Sequence, residues 1–220
     1  MKKILIATAL LALFESRAAL AQNQDVSQTD SQAVTGQTFT EDSAKKLIDE
    51  MGQKVLSIFG SSQKYSHKKE GFEKLFLEYF NAPLIAKHAL RKKWRSFSME
   101  EKKEYISLFE KDIIYTYFNL LEKYYQNDKF FVLKAETEKD NAQLFSVLSE
   151  IRRSNGQTIV IKWQVYKNKI LDAIVEKVST SHAKYNEYRE IYRKNGSTTQ
   201  GFLQALKKKV EQMAEKSNAR

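Results

Sequence analysis

The sequence predicts an α+β fold in which an antiparallel four-stranded sheet meander is covered on one face by several helices. Apolar residues recur every three or four positions up to about residue 125, and then every second position. After about residue 178 the longer spacing returns. Short polar turns separate the segments of period two, which indicates neighbouring strands of one meander. The order of helices, meander and helices is typical of the α+β class.

The N-terminus has the composition of a secretory signal peptide. Lys2 and Lys3 are followed by eleven uncharged, mostly apolar residues, Ile4–Phe14, and then by alanines in Ala19-Leu20-Ala21. The alternative is a membrane anchor, but an anchor needs about 20 apolar residues. We therefore expect export and the removal of residues 1–21.

A polar leader is predicted between the signal and the fold. Residues 22–37 have no periodicity, which predicts disorder, and a single domain over residues 38–217 follows. Thr38-Phe39-Thr40-Glu41 has the spacing of a helix capping box. A first helix is therefore predicted from this box to about Phe59.

Three further helices are predicted before the sheet. They run from His67 to Tyr79, from Asn81 to Lys92, and from a second capping box at Ser98 to about Tyr125. The last of these is the longest, and its broad apolar stripe predicts deep burial.

Four strands are predicted after the long helix, each with alternating apolar residues. These residues are Phe131, Leu133 and Ala135 in the first strand, Phe145, Val147 and Ile151 in the second, and Ile159, Ile161, Trp163 and Val165 in the third. Asn155-Gly156 predicts a tight hairpin, and Lys167-Asn168-Lys169 turns the chain into a fourth strand, Ile170–Val178. Two helices complete the chain, the first from about Ser179 to Lys194.

Charge and cysteine content narrow the classes of function. The net charge is +10, and the predicted signal carries two of these charges. A basic surface attracts nucleic acid, anionic lipid headgroups or acidic proteins, and it can also be an ordinary solvated surface. Export argues against nucleic acid, as does the lack of aromatic residues clustered within a basic run. The chain has no cysteine, which excludes disulfides and thiolate chemistry.

The residue types that usually carry catalysis or bind metals are scattered along the chain. The three histidines are isolated, and the sequence has no glycine-rich phosphate loop and no Gly-x-Ser-x-Gly motif. Asp172 and Glu176 share a face of the predicted fourth strand, but four strand residues separate them by about 13 Å. A glycosidase pair needs roughly 5–10 Å. We therefore expect no enzymatic activity, no metal and no cofactor.

Three groups of residues have the order and spacing of one known family. They are Phe80–Leu90 (FNAPLIAKHAL) with Trp94; Ser98–Lys102, Phe109 and Thr116-Tyr117 in the long helix; and Asp172, Glu176–Ser179, Asn186–Tyr188 and Asn195-Gly196 after the third strand. In these groups the chain resembles the MlaC family, also called the toluene-tolerance auxiliary family. The resemblance extends over roughly Lys45–Lys209.

This resemblance implies a periplasmic phospholipid carrier. Members of the family shuttle lipid between an outer-membrane lipoprotein complex and an inner-membrane ABC transporter complex with an MCE domain. The resemblance therefore implies phospholipid as cargo, transient contact with membrane surfaces and no cofactor. Two alternatives remain open, an exported enzyme and an adaptor, either of them on a cone-shaped α+β fold with a packed or polar interior.

A carrier of this kind needs an apolar cavity, which we expect between the sheet and the long helix. The candidate lipid-binding residues are Ile106, Phe109, Ile113 and Tyr117 of the helix; Phe145, Val147, Ile159, Ile161 and Trp163 of the second and third strands; and Leu171, Ala173 and Val175 of the fourth. Each of these residues can instead belong to an ordinary core.

The chain departs from the family at three positions. Glycine is usual where Arg91 and Lys177 stand, and arginine is frequent where Tyr185 stands. Long cations in place of glycine predict that the backbone is not left-handed at these turns. Four cations surround Trp94 in Arg91–Arg95. This cluster predicts steering towards an anionic membrane surface or an acidic partner, or else a solvated turn.

Overall fold

The computed structural model describes residues 39–125 and 127–218, so that the predicted signal peptide and leader lie outside the described residues. The α-helices are α1 (Glu41–Gly60), α2 (Tyr65–Tyr79), α3 (Ala82–Leu90), α4 (Met99–Tyr124), α5 (Thr180–Lys194) and α6 (Thr199–Asn218). The strands are β1 (Lys129–Glu138), β2 (Asn141–Arg152), β3 (Thr158–Tyr166), β4 (Lys169–Val175) and β5 (Val178–Ser179). A 3₁₀ turn, Arg91–Ser96, joins α3 to α4. The α+β layout is thereby confirmed, with five strands instead of four.

Side-chain caps fix where the first and longest helices begin. The Ser98 capping box is confirmed, because its hydroxyl accepts a bond from Glu101 N (3.1 Å) while Glu101 Oε2 accepts one from Ser98 N (2.8 Å). The predicted box at Thr38 is wrong, since Thr40 caps α1 through Ser43 N. Glu41 instead accepts a bond from Thr137 N (2.7 Å), which ties α1 to β1.

The strands form one antiparallel sheet in the order β1-β2-β3-β4-β5. The predicted fourth strand is divided into β4 and β5 by a turn at Glu176 and Lys177. Both residues have positive φ, 48° and 71°, as a two-residue hairpin turn requires. The expectation that Lys177 avoids the left-handed region is therefore wrong, because the tight turn imposes that backbone on whichever residue occupies it.

Arg91 also contradicts the expectation for its backbone. Its φ is 49° and its ψ is −124°, a conformation that favours glycine. Helix α3 ends at Leu90, and the chain must turn sharply there into the 3₁₀ turn. The Arg91 guanidinium lies 3.9 Å from the centroid of the Tyr185 ring, a cation–π contact that offsets part of the backbone strain. Two positions at which the chain departs from the pattern of the family that it resembles are thus in direct contact.

Two β-bulges change which residues share the inner face of the sheet, the face that α1 covers. In β1 the register shifts at Leu133, so that Phe130 is buried while Phe131 and Leu133 are 37% and 45% exposed. The prediction that Phe131 and Leu133 share a face with Ala135 is therefore wrong. In β4 the register shifts at Leu171, and Ile170 then lies on the inner face with Ala173.

Helix α1 packs closely on β1 and β2. Gly52 makes this approach possible, because a Cβ atom there would overlap with the ring of Phe130. Helix α4 packs on α2, α3 and α6, while α3 and α5 pack on β4. The long helix therefore belongs mainly to a helical layer, and α1 covers the sheet.

Buried apolar side chains form two clusters. The helical cluster lies between α2, α3, α4, α5, α6 and the C-terminal end of α1, and it includes Tyr105, Phe109, Phe118 and Phe202. The sheet cluster lies between the inner sheet face, α1 and the end of α2. Three partly buried residues, Val55, Ile58 and Phe80, pack against both clusters. We call these three residues the seam.

None of the helices in the described part of the chain is both long and apolar enough to span a bilayer.

Candidate functional site

The four candidate residues of α4 lie in the helical cluster. Phe109 and Ile113 are buried there, and Ile106 and Tyr117 are half-buried. Burial raises the pKa of Tyr117 to about 12. These side chains pack within the helical layer, apart from the inner sheet face.

Seven of the eight candidate residues of the strands lie in the sheet cluster. Phe145, Val147, Ile161 and Trp163 are buried, and Ile159, Ala173 and Val175 are half-buried. The eighth, Leu171, is the extra residue of the β4 bulge, so it does not share the inner face with Ala173 as expected. The structure therefore brings together the strand residues, and it separates them from the candidates of α4. Their role in lipid binding stays a prediction.

Sequence reasoning missed the residues of α1 and α2 that complete the sheet cluster. They are Ala44, Ile48 and Met51 of α1, and Leu75 and Tyr79 of α2. The apolar stripe of α1 and its Gly52 were the available signals, because a glycine within an amphipathic helix indicates close packing. Because α4 is the longest helix, it was expected to cover the sheet, whereas α1 does so.

One pair of polar groups is buried within the sheet cluster. Trp163 Nε1 donates a 2.8 Å hydrogen bond to Ser149 Oγ, and both residues are buried. Each group satisfies the other, so neither is left unpaired among apolar side chains. The inner face at Trp163 is therefore apolar although it contains an indole N–H.

A network of buried charges joins α4, α5 and α6. Asp112 is fully buried, and its carboxylate lies 2.7 Å from Lys184 Nζ and 2.6 Å from Lys209 Nζ. The Tyr188 hydroxyl donates a 2.7 Å bond to the same carboxylate, and Glu187 contacts both lysines. Two carboxylates thus compensate two ammonium groups, which is the arrangement that a buried charge requires.

The pKa of Asp112 follows from this network. Burial alone raises the pKa of Asp112, but the charges of Lys184 and Lys209 outweigh burial and hold it below its ordinary value of 3.8. Burial lowers the pKa of Lys184, but Asp112 and Glu187 outweigh it and raise that pKa above 10.5. Burial also raises the pKa of Tyr188, which keeps its hydroxyl a donor.

We expect the network to stabilise the fold at a constant level across neutral pH. A lowered carboxyl pKa contributes stability that is fully present above the unfolded pKa and lost as pH falls through the folded value. The contribution of Asp112 should therefore fade only below about pH 4. Urea unfolding of the wild type and of Asp112→Asn, from pH 3 to pH 9, measures it. If the difference in the free energy of unfolding between the two proteins vanished already near pH 6, the lowered pKa of Asp112 would be contradicted.

Among the clefts on the surface of the described residues, two have volumes of several hundred Å³. The first has a volume of about 630 Å³ and lies between α3, β4 and α5, and the second, of about 590 Å³, lies between the N-terminus of α2 and the C-terminus of α6. Both are lined mainly by polar and charged side chains. Neither has the apolar lining that we expect for acyl chains.

The carboxylate pair considered in the sequence does not form a joint site. Asp172 is buried and accepts bonds from Ser179 Oγ (2.6 Å), Thr180 Oγ1 (2.9 Å) and Ser181 N (3.0 Å), so it caps α5. Glu176 lies in the exposed turn after β4. Among the residues that the structure describes, no group of three His, Cys, Asp or Glu side chains is placed to hold a metal ion.

Comparison with known proteins agrees with this fold. A solved structure of the phospholipid-binding protein from Ralstonia solanacearum, in complex with a phospholipid, has a similar fold with a TM-score of 0.66. The two chains are 18% identical, and the similarity covers 78% of this chain and 98% of the other. No curated protein matches the sequence significantly. The sequence profile described as "MlaC protein" matches residues 43–208, which is most of the chain. The chain therefore belongs to the MlaC protein family.

Proposed function

We propose that this chain is a periplasmic phospholipid carrier that shields acyl chains and shuttles lipid between the outer and inner membranes as the soluble component of an ABC transport system. The observation that carries the proposal is membership of the MlaC family over residues 43–208. The Ralstonia protein, which has a similar fold, is described as phospholipid-binding and was solved with a phospholipid.

The cost of exposing acyl chains sets the demand on such a carrier. Each methylene transferred out of water gains about 0.8 kcal/mol, so that two acyl chains in water cost on the order of 20 kcal/mol. A carrier must offset most of this cost with apolar surface. It must also bind little more tightly than a bilayer does, because otherwise it would not release the lipid.

The sheet cluster offers that apolar surface. Val132, Ile151, Ile159 and Val175 lie on the inner sheet face, and they are only half-buried by the helices. The exposed parts of these side chains can contact an acyl chain without first losing contacts with the helices. The acyl chains in this proposal therefore lie against the inner face of β1–β4.

The seam provides a way for the two clusters to share a ligand. Val55, Ile58 and Phe80 pack against both clusters, and all three are only partly buried. Separation of the clusters along the seam would uncover apolar surface on both sides. A lipid inserted there would replace the contacts that the seam residues lose, and it would touch candidates of both α4 and the sheet.

The partners in this proposal are those that the family resemblance implies. They are the outer-membrane lipoprotein complex and the inner-membrane ABC transporter complex with its MCE domain. The basic sequence is consistent with transient contact with anionic membrane surfaces, because opposite charge raises the rate of encounter.

Transfer of lipid between vesicles tests the carrier function. Donor vesicles contain a fluorescent phospholipid with a quencher, and acceptor vesicles contain neither. The mature protein should accelerate the rise in fluorescence in proportion to its concentration. A transfer rate equal to that of buffer at every protein concentration would count against a carrier.

Export is tested by the N-terminus of the mature protein. Full-length protein made in a Gram-negative host should be recovered from the periplasm beginning at Gln22, because Ala19 and Ala21 occupy the cleavage positions. Protein that retains Met1 and fractionates with the cytoplasm would contradict the predicted signal.

A further inference from the structure

The 630 Å³ cleft between α3, β4 and α5 has the size of a ligand site. Asn81 places α3 against β4, since its backbone N–H donates to Ile170 O (3.0 Å) while its side chain caps α3 through Leu84 N (3.1 Å). Asp172 holds the start of α5 against the same strand. The walls of the cleft are therefore joined by direct hydrogen bonds.

The cleft is rich in cationic and imidazole side chains. Lys87, His88, Arg91 and His182 line it. Within residues 39–125 and 127–218, the structure records no ion pair for Lys87 or for Arg91. Two full positive charges thus face the cleft without an acidic partner.

Asp172 is the acidic residue on the wall of the cleft, and its carboxylate is already bonded. Oδ1 accepts from Ala173 N, Thr180 Oγ1 and Ser181 N, and Oδ2 accepts from Ser179 Oγ. The positive end of the α5 dipole compensates this carboxylate as well. Asp172 therefore forms no ion pair with Lys87 or Arg91, and the two cations exceed the one carboxylate in the lining, so that the cleft attracts an anion.

Two contacts orient the guanidinium of Arg91. It lies 3.9 Å from the centroid of the Tyr185 ring, and its Nη2 lies 3.1 Å from Nδ1 of His182. A guanidinium nitrogen only donates hydrogen bonds, so Nδ1 must accept and the proton of the neutral imidazole resides on Nε2. The other N–H groups of the guanidinium and the Nε2–H of His182 then remain as donors at the cleft.

The backbone of Arg91 gives an independent indication of function. A residue other than glycine with φ of 49° and ψ of −124° is strained, and such strain is concentrated at functional sites. Glycine would relieve the strain. The chain instead has a residue whose side chain reaches the cleft, in contact with Tyr185 and His182.

We propose that this cleft binds a phosphate group, as a monoester or a diester. A phosphate has several acceptor oxygens arranged tetrahedrally, and it suits a fixed arginine fork together with an ammonium and imidazole donors. The source is either the headgroup of a phospholipid or a soluble phosphate ester. The inference does not rest on the proposed carrier function, because a protein that carries no lipid can also bind phosphate here.

Titration calorimetry with inorganic phosphate, at low ionic strength, tests the site on the mature protein. The wild type should bind one phosphate per chain. Arg91→Gly and Lys87→Gln should each weaken binding at least about tenfold, because each removes a charge-assisted donor. Arg91→Gly should keep the fold, since glycine accommodates the backbone at this position. Lys87→Gln changes an exposed residue of α3 and keeps the test valid if the other variant unfolds.

Lys92→Gln and Arg95→Gln are the matched controls. Both residues are exposed on the same 3₁₀ turn, and neither lines the cleft. Each control removes one positive charge, as the test variants do, and should change phosphate affinity less than about twofold. Absence of saturable phosphate binding, or equal weakening by controls and test variants, would overturn the proposal.

A second experiment distinguishes the two sources. The same variants are incubated with vesicles of phosphatidylglycerol and phosphatidylethanolamine, and captured phospholipid is measured. Lower capture by Arg91→Gly and Lys87→Gln, with normal capture by the controls, assigns the cleft to the lipid headgroup. Normal capture by all variants, with phosphate binding lost in the test variants, assigns the cleft to a soluble phosphate ester. Failure of the wild type to capture lipid would contradict the carrier function and leave the phosphate result standing.

Discussion

Ile159→Glu is expected to lower the amount of phospholipid that the mature protein retains at least about tenfold. Ile159 is half-buried on the inner sheet face, next to Ile151 of β2. A carboxylate there lies against the acyl chains, and an unpaired charge in apolar surroundings costs several kcal/mol. Each 1.4 kcal/mol of lost affinity corresponds to a factor of ten. The position is at the rim of the sheet cluster, so that the fold should survive.

Val160→Glu is the matched control for this substitution. Val160 is the next residue of the same strand, it points to the outer face, and it is 43% exposed. The same carboxylate should lie in water there and leave retention unchanged. Retained lipid is measured by extraction and phosphorus assay, with circular dichroism to verify folding. Equal retention by the two folded variants would show that the inner face does not contact the cargo.

Asp112→Ala is expected to destabilise the fold by about 3–5 kcal/mol, since it leaves two lysines without their central carboxylate. Asp112 is 0% exposed, and Lys184 is also buried. The Tyr188 hydroxyl loses its acceptor as well. Urea unfolding measures the loss as a change in the midpoint and in the free energy of unfolding.

An exposed ion pair of α5 provides the control for Asp112. Glu190 pairs with Arg193 at 2.9 Å, and the two side chains are 44% and 66% exposed. Glu190→Ala should therefore leave the unfolding midpoint close to that of the wild type. A loss of stability by Asp112→Ala no greater than that by Glu190→Ala would contradict the central role of the buried carboxylate.

Local signals predicted those parts of the fold that depend on neighbouring residues. The Ser98 capping box begins α4 one residue later, and Asn155-Gly156 lies in the β2–β3 turn, where Gly156 has a φ of 83°. Both signals act within four residues of the chain. The bulge at Leu133 was not predictable in this way, because a register shift is decided by pairing with a partner strand.

The packing of the helices on the sheet was predicted less well. The longest helix, α4, was expected to cover the sheet, but α1 does so. The decisive feature is the absence of a side chain at Gly52, which admits the ring of Phe130. The choice between two amphipathic helices depends on such contacts between distant residues, and periodicity does not report them.

The two candidate sites also differ in how far their residues lie apart along the chain. Most of the strand candidates were identified because alternation directly reports a buried sheet face. The phosphate cleft was not foreseen, because its lining comes from α3, the following 3₁₀ turn, β3, β4 and α5. Arg91 was noted as part of a basic cluster, but only the fold shows that its guanidinium lies against Tyr185 and His182.

Native mass spectrometry of the mature protein, purified from the periplasm without added lipid, tests the carrier function most directly. The predicted spectrum contains a species heavier than the polypeptide by the mass of bound phospholipid, which fragmentation then releases and identifies. Protein that shows only the polypeptide mass, both as purified and after incubation with phospholipid vesicles, would contradict the carrier function. A bound small polar molecule in place of lipid would point instead to an exported enzyme.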